Sequence, residues 1–336
     1  MNILLSLPLI LSFFITFIAL PSWIKKAKKA GLEGKDMHKH SKPKIAEMGG
    51  VIVIGGFIIS VLSYIALKTF YFQTQENLIE VFALVSAIVI ISLIAIIDDI
   101  LGWKIGLGKR VRIFLVLIGA IPLMVINAGH SHVTLPFFDG INLGLFYPLF
   151  IIPLGIIGAT TSFNFLAGYN GLESGQGIII LTALSIVAYF TGSTWLSLIG
   201  FCMVLSLFAF WVFNKYPAEV FPGDVLTYSV GALIAIMAIL GDFERIAIFF
   251  FIPYILEVGL KIRGKLKKES FAKPKKDGSL EMPYKKIYSL NHLSLFILDK
   301  FKKNKKVYER DIVLFIHSIQ IIIILIGFVI FRSSIF

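Results

Sequence analysis

The sequence predicts an all-α integral membrane protein with about ten transmembrane helices, and three properties of the chain support this fold class. Hydrophobic residues make up 57% of the 336 residues and charged residues only 15%, whereas soluble domains keep roughly a quarter of their residues charged. Apolar runs of about 20 residues recur, the length that a helix needs to cross a bilayer core of roughly 30 Å. Backbone groups in lipid must bond within their own segment, which favours helices over open sheets.

Ten spans can be drawn from these apolar runs. The first is interpreted as a retained span rather than a signal peptide, because it has no basic segment before it and no small-residue cleavage site before Lys25 and Lys26. Pro122, Pro153 and Pro253 fall within spans, where neighbouring helices accommodate a kink. The spans cover about residues 2–24, 47–67, 80–97, 111–128, 141–160, 177–191, 194–213, 225–241, 245–262 and 311–331.

Basic residues are distributed unequally between alternate loops. Of the 32 Lys and Arg residues, 29 fall in segments 25–44, 98–112, 214–224 and 261–310, and Lys68, Arg245 and Arg332 remain for the other side. Loops rich in Lys and Arg stay in the cytoplasm, so both termini are predicted to lie outside and the chain to be a multi-pass protein of the cell membrane. The net charge of +12 then indicates contact with anionic membrane lipids rather than nucleic acid.

The chain is interpreted as a single polytopic membrane domain, 1–336, with a cytoplasmic loop subdomain at 262–310 between spans 9 and 10. In this loop Asp277-Gly278 lies between two strand-like stretches, which predicts a hairpin. Leu290–Phe301 has leucine and phenylalanine at helical spacing, which predicts an amphipathic helix along the membrane surface. This helix would anchor the loop or partly cover a cytoplasmic cleft. The single cysteine, Cys202, excludes an internal disulfide.

Two adjacent acids, Asp98 and Asp99, close the third span. They would repel each other unless a cation or a cationic side chain lies nearby, and a helix points them about 100° apart, so they need not share one role. The alternative is a stop signal at the membrane interface. Lys109 and Arg110 follow and could balance phosphate charge, or simply anchor the loop to the cytoplasmic face.

The segment 163–176 contains no Lys or Arg although it lies on the basic side. Asn170-Gly171 is typical of a turn, and its glycines let backbone approach a ligand closely. The amide oxygens of Asn164 and Asn170 and the carboxylate of Glu173 are hard donors of the kind that suits Mg²⁺. A plain connecting loop is the alternative interpretation.

Two further acids lie where spans begin. Asp224 opens the eighth span after a turn, where it could act only as a helix N-cap, and the nearby Phe221 could stack on a base or touch lipid. Glu47 enters the second span, as a favourable charge at a helix N-terminus or as an acceptor for sugar hydroxyls. The cytoplasmic histidines His38, His40 and His292 show no metal-ligand spacing. Because these motifs share one face, they predict a site at the membrane surface rather than a conduit through it.

In this order the motifs resemble the polyprenyl-phosphate N-acetylhexosamine-1-phosphate transferases, and most closely the branch that makes dolichyl-diphosphate-GlcNAc. The resemblance covers nearly the whole chain and implies transfer of GlcNAc-1-phosphate from UDP-GlcNAc to dolichyl phosphate with release of UMP, the first membrane step of lipid-linked glycan assembly for N-glycosylation. Another UDP-N-acetylhexosamine, undecaprenyl phosphate or a membrane transporter stay open as alternatives. The motifs are Lys42–Glu47, Asp98-Asp99, Asn164–Glu173, Phe221–Asp224 and Gly278–Met282.

The resemblance also implies catalytic and metal-binding residues. Asn164 and Asp224 match the family's Mg²⁺ ligands, with Mn²⁺ as an alternative ion. Asp98 and Asp99 match its acidic pair near the lipid phosphate and the metal, with proton transfer or positioning of the phosphate as the two open roles. Lys109 matches the lysine that faces the diphosphate, although this sequence carries one extra residue before it.

Four residues match the family's substrate-binding positions. Asn170 and Phe221 match those that hold uracil, Glu47 matches a ribose contact, and Glu173 belongs to the same set. Ahead of the hairpin this chain has Ser270–Pro274 where eukaryotic members have Arg-His-Arg-x-Pro for sugar recognition, so N-acetylglucosamine is the expected donor sugar but another is open. The expected partners are UDP-GlcNAc, dolichyl or another polyprenyl phosphate, and membrane lipids; no nucleic acid is expected, and a homodimer is left open.

Overall fold

A computed structural model describes residues 3–102, 106–135, 138–302 and 306–336 and is mainly helical. Eight helical segments of this described part are long and apolar enough to cross a membrane, which supports the predicted all-α membrane fold. They are Ile3–Lys29, Gly50–Tyr71, Leu78–Leu101, Tyr147–Phe165, Leu172–Phe190, Thr194–Asn214, Gly223–Leu240 and Glu309–Ile330. The other two predicted spans correspond to a helix of 17 residues, Lys109–Val125, and to a helix interrupted at Phe251.

The α-helices are α1 (Ser6–Lys29), α2 (Gly50–Ala66), α3 (Leu78–Leu101), α4 (Lys109–Val125), α5 (Ile152–Phe165), α6 (Leu172–Phe190), α7 (Thr194–Asn214), α8 (Gly223–Leu240), α9 (Glu244–Phe250), α10 (Ile252–Arg263), α11 (Leu290–Phe301), α12 (Glu309–Ile330) and α13 (Arg332–Ile335). Three two-stranded antiparallel sheets connect them: β1 (Glu33–Lys35) with β2 (Lys44–Ala46), β3 (His132–Leu135) with β4 (Phe138–Asn142), and β5 (Lys273–Pro274) with β6 (Leu280–Glu281).

Several predicted span boundaries were wrong. The first helix continues to Lys29, since lysines in its last turn are favourable at a helix C-terminus and extend away from the apolar stretch. The third continues to Leu101, so the acidic pair lies inside its final turn. The fifth and sixth predicted spans are shifted, because the structure has helical segments at Tyr147–Phe165 and Leu172–Phe190. Pro253 lies in the first turn of α10 rather than inside a continuous ninth span, as expected of a residue without a backbone N–H.

Helix α8 is the most enclosed of the eight candidate spans. It packs against α3 and α5, and also against α2, while α7 packs against α1 and α6. Buried hydroxyl groups link the layers, since Ser92 on α3 and Ser229 on α8 are hydrogen-bonded at 2.8 Å. This packing brings the C-terminal ends of α3 and α5 to the N-terminal end of α8.

The loops at this end of the bundle carry more structure than the sequence predicted. The segment between α1 and α2 forms the β1–β2 hairpin, with Glu33 opposite Ala46, which was not predicted. The hairpin around Asp277-Gly278 is confirmed, with Lys273 opposite Glu281. The helix predicted at Leu290–Phe301 is confirmed as α11, and Ser289 caps it by accepting a hydrogen bond from the Asn291 backbone N–H at 3.2 Å.

Candidate active site

The acidic pair and Asp224 meet where α3 ends and α8 begins. The two carboxylate oxygens of Asp99 accept hydrogen bonds from the backbone N–H groups of Asp224 and Val225, at 2.8 and 3.2 Å. These N–H groups lie in the first turn of α8 and have no partner inside the helix. Asp99 therefore caps α8 from another helix, and the interpretation of Asp224 as a simple N-cap was wrong. The Asp224 side chain stays available for other contacts.

Arg112, in the first turn of α4, joins the other two acids. Its guanidinium pairs with the buried carboxylate of Asp98, and Nη1 lies 3.5 Å from Asp224 Oδ2. The guanidinium carbon also lies 5.6 Å from the Tyr228 ring centroid, a cation–π distance. One delocalised cation thus lies between two carboxylates that would otherwise repel each other.

Arg112 was not predicted as a site residue, because in the sequence it belongs to a basic loop. A signal was present, because Lys109, Arg110 and Arg112 all fall in the first turn of α4. Positive charges there are unfavourable with respect to the helix dipole and indicate that something anionic faces them. Lys109 begins α4, but its side chain lies outside the described part of the chain.

Asn164 reaches the same place from the last turn of α5. The hydroxyl of Thr227 lies 3.0 Å from Asn164 Oδ1 and 3.2 Å from the Asp224 backbone carbonyl oxygen. The structure therefore brings together Asp98, Asp99, Asn164 and Asp224 at the ends of three helices. Carboxylate and amide oxygens are the ligands that a hard divalent cation prefers, so the donor set fits Mg²⁺.

Glu47 and Phe221 lie on two segments that are hydrogen-bonded to each other. The backbone N–H of Phe221 donates to the Ala46 carbonyl oxygen at 2.7 Å, and the Gly49 N–H donates to the Phe221 carbonyl oxygen at 2.9 Å. Trp23 Nε1 donates to the Glu47 carbonyl oxygen at 3.0 Å. Burial raises the pKa of the Glu47 carboxyl above its usual value, and Glu47 lies close enough to interact electrostatically with Asp99.

Gly223 connects the segment that carries Phe221 to the acidic cluster. Its φ of +71° is in the left-handed region, and a Cβ there would lie 2.5 Å from Asp99 Oδ2 and 3.2 Å from Met48 Cα. We expect Gly223→Ala to cost about 1–2 kcal/mol from the backbone alone and to displace Asp99 from α8, lowering the activity of this site more than tenfold. Activity per folded protein checks this, with Gly155→Ala as control because its Cβ would meet nothing within 4 Å. Equal activity of the two variants would contradict it.

Asn170 and Glu173 belong to a second polar cluster. The Asn170 backbone N–H donates to Glu309 Oε1 at 2.8 Å, and its side-chain Nδ2 donates to Asp36 Oδ2 at 3.2 Å. Glu173 Oε1 accepts from the Gly168 N–H at 2.6 Å and so holds the α5–α6 loop in place. The signal for Asp36 and Glu309 was weak, because each lies near lysines and resembles an ordinary loop acid.

His38 and Lys39 complete this cluster. Burial lowers the pKa of His38 to about 3, so the imidazole is neutral. The centroid of its ring lies 3.8 Å from the centroid of the Tyr169 ring. Lys39 Nζ lies 2.7 Å from Glu309 Oε2 and 3.3 Å from Asp36 Oδ2; burial opposes its charge, but the two carboxylates outweigh burial and raise its pKa. Asp36, His38 and Glu309 have a spacing that could hold a metal ion, which was not predicted, but Lys39 already supplies a cation to both acids.

A buried side chain connects the two clusters. Asn214 Oδ1 accepts a hydrogen bond from the Ser174 hydroxyl at 2.7 Å, and Asn214 Nδ2 donates to the Val220 carbonyl oxygen at 2.9 Å. Ser174 is one turn beyond Asn170, and Val220 precedes Phe221. Gly171, at φ +81°, brings the same loop against Lys215, where a Cβ would lie 3.2 Å from the Lys215 Cα. The loop that carries Asn170 and the segment that carries Phe221 are therefore neighbours.

Comparison with known proteins gives consistent matches. Residues 81–242 match glycosyl transferase family 4. A putative UDP-N-acetylglucosamine–dolichyl-phosphate N-acetylglucosaminephosphotransferase of Saccharolobus solfataricus is 38% identical over 299 residues, 88% of this chain and 89% of the relative. A protein of the same description from Sulfolobus acidocaldarius is 31% identical over 318 residues, 94% and 93% of the two chains. The UDP-N-acetylglucosamine–dolichyl-phosphate N-acetylglucosaminephosphotransferase of Dictyostelium discoideum is 30% identical over 280 residues, 72% and 67% of the two chains.

Proposed function

The chain belongs to glycosyl transferase family 4, and on that basis we propose that it transfers GlcNAc-1-phosphate from UDP-GlcNAc to dolichyl phosphate or another polyprenyl phosphate and releases UMP. The observation that carries this proposal is the meeting of Asp98, Asp99, Asn164 and Asp224 at the ends of three helices, with Arg112 paired to Asp98 and Asp224. Relatives matched over most of their length supply the substrate class. Such a transferase needs a cluster of oxygen donors and cations for a diphosphate.

The reaction is a phosphoryl transfer. An oxygen of the lipid phosphate forms a bond to the β-phosphorus of UDP-GlcNAc, and the bond from that phosphorus to the bridging oxygen breaks, so UMP leaves with the bonding electrons. A phosphate monoester has its second pKa at about 6 and is largely ionised at neutral pH. The main task of the protein is therefore to offset repulsion between anions and to align the two phosphates.

Asn164 and Asp224 are proposed to hold Mg²⁺, with Mn²⁺ as an alternative ion; when bound, the cation would neutralise charge on the diphosphate and on the departing UMP. Asp99 positions Asp224 by capping α8, since both of its oxygens accept backbone N–H bonds. Asp98 is held by Arg112 and by the Leu107 N–H at 2.6 Å, and it is proposed to face the phosphates. Lys109 is proposed to add a second cation from the start of α4.

The residues proposed to bind the nucleotide lie on the segments that carry Phe221, Asn170 and Glu47. Phe221 and Asn170 are proposed to hold the uracil ring, one by stacking and the other by hydrogen bonding, and Glu47 to accept from the ribose. Their segments are neighbours through the Ser174–Asn214–Val220 link. Glu173 is proposed to belong to the same substrate-binding set; its Oε1 accepts a hydrogen bond from the Gly168 N–H, which holds the loop in place.

We place this site on the cytoplasmic face of the cell membrane, in a protein with ten spans and both termini outside. The basic loops support this orientation, because 29 of the 32 Lys and Arg residues fall on the side where the site segments lie. A soluble nucleotide sugar and a membrane-held phosphate can meet there. The 262–310 loop would then partly cover the cleft, and the homodimer stays a prediction.

The full-length protein in lipid nanodiscs, assayed with radiolabelled UDP-GlcNAc and dolichyl or undecaprenyl phosphate, tests the proposal. We expect UMP release and labelled lipid in equal amounts, loss of both on adding EDTA, and recovery on adding excess Mg²⁺. Parallel assays with UDP-glucose, and with UDP-N-acetylhexosamines other than UDP-GlcNAc, measure donor selectivity. Binding of UDP-GlcNAc without UMP release would instead indicate a lipid-binding scaffold, and turnover unaffected by EDTA would exclude the metal assignment.

A further inference from the structure

The side-chain amide of Asn170 has an NH₂ end and an oxygen end, and in this structure the NH₂ end is hydrogen-bonded within the protein. Nδ2 donates a hydrogen bond to Asp36 Oδ2 at 3.2 Å. A carboxylate oxygen can only accept, so the end of the amide that faces Asp36 must be the NH₂ group. Rotating the amide by half a turn would point its oxygen at the Asp36 carboxylate, deep in the protein, where two acceptors repel.

Asp36 is itself held from several directions. Lys39 Nζ lies 3.3 Å from the same Oδ2, and the His38 backbone N–H donates to Oδ1 at 3.1 Å. The Asp36 backbone N–H donates to the Pro43 carbonyl oxygen at 3.0 Å, and the residue is 4% exposed. The carboxylate therefore has little freedom to turn away from Asn170.

The backbone of Asn170 is held by the same network. Glu309, at the start of α12, accepts the Asn170 N–H with Oε1 and pairs with Lys39 through Oε2, at 2.8 and 2.7 Å. A single ammonium group thus joins the acid that holds the Asn170 backbone to the acid that holds its side chain. Asp36, Glu309 and Asn170 are each no more than 5% exposed, so water competes poorly for these bonds.

The consequence concerns the free end of the amide. With one N–H of Nδ2 bonded to Asp36 and the amide held in this orientation, Oδ1 is the end of the amide turned away from Asp36, and it can only accept a hydrogen bond. Uracil offers an N–H donor at ring position 3, whereas cytosine has an unprotonated acceptor nitrogen there. Two facing acceptors would leave the cytosine nitrogen without a partner in a water-poor site, which is a strong basis for rejection.

We infer that Asp36, held by Lys39 and Glu309, is a positioning residue that fixes the Asn170 amide as an acceptor and thereby makes the site select uracil over cytosine. This inference rests on the proposed function, in which Asn170 contacts the base. Asp36 acts through Asn170 and does not touch the substrate. The network also explains why the β1–β2 hairpin, the α5–α6 loop and the start of α12 share one buried ionic cluster.

The test is base discrimination in Asp36→Asn, measured with the full-length protein in nanodiscs with Mg²⁺. Radiolabelled UMP is bound and displaced by unlabelled UMP or CMP, and the ratio of the two inhibition constants is the readout. An asparagine at position 36 can donate as well as accept, so the Asn170 amide becomes free to turn. We expect the CMP/UMP ratio of inhibition constants to fall about tenfold, which corresponds to the free energy of one hydrogen bond. We also expect a higher KM for UDP-GlcNAc and a smaller change in kcat.

Glu33→Gln is the matched control, because it removes the ion pair of a partly buried acid with the exposed Lys44 on the same hairpin and should leave the ratio unchanged. Asp36→Glu keeps the charge and should retain most of the discrimination, which provides a second folded variant. An unchanged ratio in Asp36→Asn would overturn the inference, as would an equal fall in Glu33→Gln. If the wild-type protein shows no preference for UMP and no UMP release, the proposed function itself fails, and the inference fails with it.

Discussion

Asp224→Asn should lower transfer of GlcNAc-1-phosphate by at least about 100-fold, the loss expected when a metal-based stabilisation of several kcal/mol is impaired. The substitution keeps the shape of the side chain and removes its charge. The local fold should survive, because the backbone N–H of residue 224 is held by Asp99 and does not depend on the side chain. Activity of purified protein at several Mg²⁺ concentrations measures the effect, and the Mg²⁺ needed for half-maximal activity should rise.

Asp242→Asn is the appropriate control for this variant. Asp242 lies just beyond the opposite end of α8, where its carboxylate pairs with the exposed His130 at 2.5 Å. The same chemical change there should leave turnover and Mg²⁺ dependence unaltered. Wild-type turnover by Asp224→Asn would exclude Asp224 from the proposed metal site. A monodisperse elution profile for both proteins separates loss of chemistry from loss of folding.

Arg112→Met should have the second largest effect, lowering turnover about 100-fold as anionic substrates lose a charge-assisted contact. Arg112 lies between Asp98 and Asp224, so its removal also leaves these two acids without their shared cation. A site that has lost a positive charge should bind a divalent cation more tightly. Turnover should therefore fall while the Mg²⁺ concentration for half-maximal activity decreases, opposite to the change in Asp224→Asn.

Arg110→Met is the matched control, since Arg110 is exposed on the same turn of α4. Arg112→Lys keeps the charge but loses the planar group that reaches both acids, so its activity should be intermediate. If Arg110→Met and Arg112→Met reduce turnover equally, the basic turn acts only as an anchor to the membrane surface. A rise in the Mg²⁺ requirement of Arg112→Met would contradict its place between the two carboxylates.

Features that depend on residues close together in the sequence could be predicted well. The hairpin at Asp277-Gly278 and the helix Leu290–Phe301 follow from turn chemistry and from helical spacing, and both are present. Span ends were less predictable, because a helix continues past the apolar stretch wherever its end residues find partners. Asp98 and Asp99 show this, since their backbone carbonyls accept the Gly102 N–H that closes α3.

Contacts between distant segments could not be predicted from local pattern. Asp99 caps a helix 125 residues away, and Glu309 holds the backbone of Asn170 from 139 residues away. Nothing in the sequence around Asp36, Lys39 or Glu309 distinguishes them from surface charges of a basic loop. Only burial and mutual approach turn these residues into a network, and both are properties of the folded chain.

The sequence by itself determined that this protein is mainly helical and lies in a membrane, because hydropathy acts over windows of about 20 residues. From the distribution of charge it also predicted the side on which the polar motifs collect. The tertiary structure alone decided which of those motifs touch. It brought Arg112 between Asp98 and Asp224, made Asp99 a cap and placed Asn170 against Asp36. The physical reason is range: a span forms from its own residues, whereas a pair of charges requires two segments to pack.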